Sequence, residues 1–139
     1  MSMLVPFATL NPDADTHEFW DFCRRRELRF QRCGACGRFR QPPLPGCPHC
    51  GATTYEWIAV RGRGHVFSYT VVHHAAVPPI QHDVPYVVIV VEFDDAPEVR
   101  LVSNLVDAPG DAVRIGLPVD LVWHEAAADV VLPRFRPAT

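Results

Sequence analysis

The sequence predicts a mainly β protein in which a short helix and a compact cysteine module precede a small barrel of about five strands. Three observations carry that prediction. The second half is a succession of β-branched and aromatic runs, strongest at Tyr86 to Phe93 (YVVIVVEF), punctuated by turns containing Gly and Pro. Four of the five cysteines fall in two Cys-x-x-Cys pairs with ten residues between them. Proline contributes 14 of 139 residues, a share that disfavours a helical bundle.

Composition bounds the class. A chain of 139 residues, 48% apolar and 21% charged, suits one domain or a small domain with a smaller module. It excludes a large multidomain enzyme and a chain left disordered for want of apolar side chains. The longest apolar run, Val84 to Val91, is eight residues long and contains a proline, against the roughly 20 needed for a membrane helix. The N-terminus, MSMLVPFATLNPDADTHEF, has no basic region before its apolar residues, so no signal peptide is expected. Paired cysteines without that signal indicate a cytoplasmic metal site rather than a disulfide framework.

The elements follow in order. Residues 1 to 12 read as an irregular leader. Asp15, with Glu18 three residues on, resembles a capping box and predicts a helix start. Phe19, Trp20, Phe22 and Cys23 give that helix an apolar side, and Arg24, Arg25 and Arg26 suit its negative end. Three large aromatics exceed what so short a helix needs, which leaves docking on the chain's own fold and contribution to a partner surface both open. Leu28 to Gln31 alternates as a short strand leading into the cysteines. Tyr55 to Val60 and His65 to Val72 are the next strands, with a bulge or bend at Arg61-Gly62-Arg63-Gly64. Tyr86 to Phe93 turns through Asp94 to Glu98 into its antiparallel mate, Val99 to Leu105. Val106 to Gly116 is a loop, and Val119 to Trp123 and Val130 to Phe135 are the last strands.

Closure into a barrel would protect edges that an open sheet of this size would expose. Five consecutive apolar residues, Val87 to Val91, cannot all face one side of a strand, so the outward set needs cover. The expected organisation is leader and helix at 1–27, cysteine module at 28–54 and barrel at 55–139.

Cys33-Gly-Ala-Cys36-Gly and Cys47-Pro-His-Cys50-Gly read as two tight knuckles, each aiming two thiolates at one ion. Four thiolates give Zn2+ a closed tetrahedral shell, so the metal is structural; an iron site of rubredoxin type and a redox-active site are the alternatives. Cys33, Cys36, Cys47 and Cys50 are the expected ligands, which leaves His49 outside the shell. Cys23 reads as a buried small side chain rather than a nucleophile.

No Gly-x-Ser-x-Gly elbow, phosphate loop or His-Glu-x-x-His helix is present, and Ser68 and Ser103 lack any local sign of activation. Among the histidines, His73 and His74 close a strand just before Ala75-Ala76-Val77-Pro78-Pro79, where they act in catalysis, contact a ligand or partner, or merely end the strand. All 13 basic residues are arginine, and they are unevenly placed. Residues 1–23 carry a charge of −4, residues 24–63 carry +7 and residues 64–139 carry −6, for a total of −3. Arg38, Arg40, Arg61 and Arg63 in the basic block are candidate contacts for an anionic ligand or an acidic partner; a solvated basic face is the other reading. A ribbon joined to a barrel also suits single-stranded nucleic acid, but the acidic barrel lacks the continuous positive track this needs.

Gln31-Arg32-Cys33-Gly34-Ala35-Cys36-Gly37, Pro42-Pro43 and Cys47-Pro48-His49-Cys50-Gly51 resemble the rubredoxin-like zinc ribbon of the domain-of-unknown-function family number 35. Gly62 to Val71 (GRGHVFSYTV), Pro85-Tyr86-Val87 and Leu132-Pro133-Arg134-Phe135 extend the likeness over roughly residues 16 to 136. The resemblance implies a helix, a zinc ribbon and a five-stranded OB-fold barrel. It further implies a non-catalytic accessory subunit of a thiolase-like enzyme in acyl-CoA and lipid metabolism, in a heterodimer or heterotetramer. That partner would be a ketothiolase or a retro-aldolase cleaving β-hydroxyacyl-CoA, with steroid side-chain degradation the favoured setting. Acyl-CoA is then a candidate ligand, and a free-standing acyl-CoA carrier or regulator is the alternative.

Overall fold

The computed structural model describes residues 10–139. The expected leader falls mostly outside that range. One helix, α1 (His17–Arg24), is followed by eight strands: β1 (Arg29–Cys33), β2 (Phe39–Arg40), β3 (Tyr55–Ala59), β4 (Arg63–Val72), β5 (Tyr86–Phe93), β6 (Ala96–Leu105), β7 (Pro118–Ala127) and β8 (Val130–Pro137). Short 3₁₀ turns at Pro78–Ile80 and Gly110–Ala112 interrupt the two longest barrel loops.

The helix starts differently from the expected capping box. Its N-cap is Thr16, which makes no side-chain cap bond. Asp13 organises the entry instead: its Oδ1 accepts from the Asp15 and Thr16 amides at 3.0 and 2.9 Å and from Thr16 Oγ1 at 2.9 Å. These bonds hold the Asp13 carboxyl below its ordinary value. Glu18 is drawn away from the backbone by tertiary structure, accepting from Trp57 Nε1 at 2.8 Å.

Two sheets divide the strands. β2, β1 and β3 form a three-stranded antiparallel ribbon, and β4–β5–β6–β8–β7 close into a barrel. β3, which reads in sequence like the barrel strands, pairs with β1 from Arg29↔Ala59 to Cys33↔Tyr55, leaving five strands in the barrel. Between the sheets the chain bends at Gly62, whose φ is +75° and where an added Cβ would meet Leu121 Cβ at 2.6 Å. The bulge in β4 falls later, where the pairing skips between Val66 and Ser68.

β5 alternates regularly: Val87, Ile89, Val91 and Phe93 are buried, while Val88 and Val90 are half-buried on the outer face. A row of aromatic rings ties the modules together. Phe19 of α1 stacks on Phe30 of β1 at 6.3 Å, Phe30 meets Phe93 of β5 at 5.3 Å, and Phe93 meets Phe135 of β8 at 5.9 Å. Phe30 and Phe135 are fully buried. The helix aromatics therefore dock mainly inward: Phe19 enters the core and Phe22 packs on Trp57 at 5.4 Å. One apolar core spans helix, ribbon and barrel.

Candidate metal centre and an adjoining groove

The two knuckles repeat the same local geometry. Gly37 and Gly51 donate their amides to the Cys33 and Cys47 carbonyls at 3.1 and 2.9 Å, and both glycines have φ near +80° (78° and 80°). Cys33 and Cys47 in turn donate to the Arg38 and Ala52 carbonyls, each at 2.8 Å. That conformation strains any residue with a Cβ, which is why a glycine follows each pair.

These turns bring all four Sγ atoms within 4.8 Å of one another, with Cys33–Cys50 and Cys36–Cys47 each at 3.6 Å. A tetrahedron of sulfurs around Zn2+ at about 2.3 Å has edges of about 3.8 Å, so the donor set fits that ion. Amides point at the sulfurs as well. Cys36 and Ala35 donate to Cys33 Sγ at 3.4 Å and pull its thiol down to about 6. The Cys50 and His49 amides lower Cys47 in the same way. For Cys36 the Arg38 amide also favours the thiolate, but desolvation and the neighbouring thiolates win, raising it to about 11. The full set of four thiolates thus needs a cation at its centre. With four protein ligands such a centre has no open position, and the chemistry it offers is structural.

Around the metal centre the expected contact residues separate. Arg40 is buried, donating to Gln31 Oε1 at 2.7 Å and to the Leu44 carbonyl at 3.0 Å, with its guanidinium 5.3 Å from the Tyr55 ring. It braces the ribbon rather than presenting a charge. Arg38 meets His49 Nδ1 at 2.7 Å, and both reach Glu98 of β6, at 4.0 and 3.8 Å. Arg61 and Arg63 are exposed beside Asp95 and Asp120, at 3.9 and 3.3 Å. His73 and His74 are exposed just past the end of β4, at the opposite end of that strand from Arg63. Cys23 is fully buried in the core, where desolvation pushes its thiol to about 12.

The structure adds a feature that no local motif announced. β6 and β8 share a single ladder pair, Leu105↔Phe135, and part beyond it. Side chains bridge the seam: Ser103 Oγ donates to the Pro133 carbonyl at 2.7 Å, and Arg134 donates to Asn104 Oδ1 at 2.5 Å and to His124 Nδ1 at 2.8 Å. Over this seam lies a groove of about 510 Å³, walled by Phe19 and Trp20 of α1, by Gln41, Pro42 and Pro43 after β2, and by residues 100–104 and 132–134 of the barrel. Four distant segments build it, so only tertiary structure reveals it.

Comparison with known proteins agrees with this architecture. Residues 20–56 match the family model "ChsH2, rubredoxin-like zinc ribbon domain", and residues 57–124 match "ChsH2, C-terminal OB-fold domain". A "Probable enoyl-CoA hydratase alpha subunit" of Thermomonospora curvata is 43% identical over 97% of this chain and 40% of its own length. The "3-oxo-4,17-pregnadiene-20-carboxyl-CoA hydratase alpha subunit" of Mycobacterium tuberculosis is 39% identical over 84% of this chain and 36% of its own length. The chain therefore spans well under half of these two curated relatives. A solved chain of the "Ltp2-ChsH2(DUF35) aldolase" superposes with a TM-score of 0.85 at 40% identity, covering 94% of this chain and all of that one (100%). The zinc ribbon, the five-stranded barrel behind it and these matches together place the chain in the DUF35 family of ChsH2-type zinc-ribbon/OB-fold proteins.

Proposed function

We propose that this chain is a non-catalytic accessory subunit of a thiolase-like enzyme that acts on acyl-CoA thioesters, with a retro-aldolase of steroid side-chain degradation as the favoured partner. The observation that carries the reading is the likeness, over the whole of the solved chain, to the DUF35 component of an aldolase. Zn2+ held by Cys33, Cys36, Cys47 and Cys50 would fix the ribbon, which shares its core with the barrel. Its contribution is folding energy, on the order of 10 kcal/mol in small zinc modules. The half-buried outer face of β5 and the exposed Phe67, Tyr69 and Val102 beside it supply apolar surface for the partner.

In this reading acyl-CoA is the substrate of the assembly. Arg61 and Arg63, whose side chains are 85% and 78% exposed, are the arginines best placed to meet a diphosphate or an acidic partner surface. Among the described residues no helix is long and apolar enough to cross a membrane, and the cytoplasm is the compartment we assign. Co-expression with a thiolase-fold protein tests the proposal. Co-elution, with thioester cleavage that requires both chains, is the expected result. Separate elution together with partner activity indifferent to this chain would overturn it.

A further inference from the structure

An open sheet edge offers unpaired main-chain donors and acceptors, and folded proteins guard such edges with charge, proline or a covering segment. The ribbon's edges are guarded. β2 is only two residues long, and on β3 Arg29 Nη1 donates to the Trp57 carbonyl at 3.5 Å while Glu56 adds a charge. β4 is different. Its ladder with β7 runs only from Arg63 to His65, and the Val66 main chain is taken up by Leu117 and Gly116. Past the bulge it pairs with β5 alone, from Ser68 to Val72, and among the described residues no loop or side chain is bonded to its other side. Phe67, Ser68, Tyr69 and Thr70 are exposed in succession, so both faces of the strand meet solvent there. The stretch Phe-Ser-Tyr-Thr-Val-Val has strong β propensity and holds no charge, proline or glycine.

We propose that this edge pairs with the same edge of a second copy of the chain, antiparallel and about a twofold axis at Thr70. The limits of the free stretch set the register. Val66 closes it at one end, and at the other β4 stops at Val72 with His73 next. Full overlap puts Phe67 opposite His73, Ser68 opposite Val72, Tyr69 opposite Val71 and Thr70 opposite Thr70. Tyr with Val and Thr with Thr are favourable cross-strand pairs. Because the stretch carries no charge, two identical copies meet without like-charge repulsion, whereas a charged segment of another protein would find no counter-charge on it. A contact of this self-complementary kind closes at two chains. It joins two β4–β5 hairpins into one continuous sheet. With only six residues of each chain in the ladder, the dimer belongs to the weak class, with dissociation in the micromolar range. Edge pairing uses the main chain of β4 and leaves Val102 and the outer face of β5 to the thiolase-like partner. The inference goes beyond the subunit proposal and concerns the chain by itself, so its failure leaves that proposal standing.

The zinc-loaded chain is followed by sedimentation equilibrium over a micromolar concentration series, with hydrogen exchange in parallel. The mass should rise from the 15.6 kDa of one chain towards twice that value, and amides within Phe67–Val72 should gain protection as it does. Thr70→Lys sets two like charges on the axis and should weaken the dimer by about tenfold or more while leaving Tm and zinc content unchanged. Thr70→Cys gives an independent readout. Opposed residues of an antiparallel ladder have Cα atoms about 4.5–5.5 Å apart, within disulfide reach, so mild oxidation should link two chains through that position. Val102→Cys, at a site 67% exposed but on β6, should not cross-link. Three results would overturn the proposal: a monomer at every concentration, a dimer that Thr70→Lys leaves intact, or protection of the β4 amides only after a thiolase-fold partner is added.

Discussion

Phe30→Ala tests whether ribbon and barrel are one folding unit. Phe30 is 0% exposed and stands between Phe19 of the helix at 6.3 Å and Phe93 of the barrel at 5.3 Å. Removing a buried phenyl ring costs about 3–5 kcal/mol through lost transfer energy and the cavity left behind. For a domain of this size each kcal/mol lowers Tm by roughly 3–5 °C, so a fall of about 10–20 °C is expected. The sharper assay compares two probes during urea unfolding: Trp emission, and zinc release followed with a chromogenic chelator. In wild type the two transitions should coincide, because the aromatic row crosses from one sheet to the other. Phe30→Ala should move both midpoints together to lower urea. Zinc release well before the barrel transition in wild type, or a Phe30→Ala effect confined to one probe, would refute the shared-core argument.

Further expectations are open to direct measurement. Mass spectrometry of native protein should find one Zn2+ per chain, and Cys47→Ser should lose the metal together with the ribbon fold, as seen by near-ultraviolet dichroism. Acidification should release the metal as protons compete with it for the four sulfurs. Retention of full zinc at pH 4 would contradict this. Cys23, buried and raised to about 12, should resist iodoacetamide at pH 8 in folded protein, and Cys23→Ser should cost about 1–3 kcal/mol in urea titration by burying a hydroxyl. Arg40→Lys should destabilise by about 1–2 kcal/mol, because an ammonium cannot match the fork to Gln31 and Leu44, whereas Arg61→Lys should be nearly neutral.

Features encoded by neighbouring residues were legible in the sequence. The two knuckles need only a turn and a following glycine, and the alternation in Tyr86–Phe93 needs only the pleat. What was not legible depends on distant partners. Asp15 and Glu18 have the spacing of a capping box, yet Asp13 captures the local amides and Trp57, 39 residues on from Glu18, captures its carboxylate. β3 carries the residues of a barrel strand, but pairing with β1 places it in the ribbon. β7 continues to Ala127, beyond the expected end at Trp123, because His124, Glu125 and Ala127 find register with β8.

The charge segregation has the same explanation. The middle block looks strongly basic in isolation, but Arg26, Arg38, Arg61 and Arg63 reach Glu125, Glu98, Asp95 and Asp120 of the acidic barrel. Each such exposed pair is worth little, about 0–1 kcal/mol; of the four, Arg38–Glu98 runs from ribbon to barrel, while Arg63–Asp120 lies between the barrel strands β4 and β7. The arginines first read as a surface for an outside anion are thus mostly matched within the chain, and Arg40 is withdrawn altogether. Gln41, Asn104, His124 and Arg134 carried no motif of their own, and the groove and seam they form exist only once four segments converge.

The most direct test of the subunit proposal is the mass of the assembly, measured by light scattering after co-expression with a thiolase-fold protein, with cleavage of a β-hydroxyacyl-CoA assayed on the same fractions. The account predicts a single complex containing both chains, with activity only where both are present. A monomer of 15.6 kDa eluting apart from a partner that is fully active without it would contradict the account.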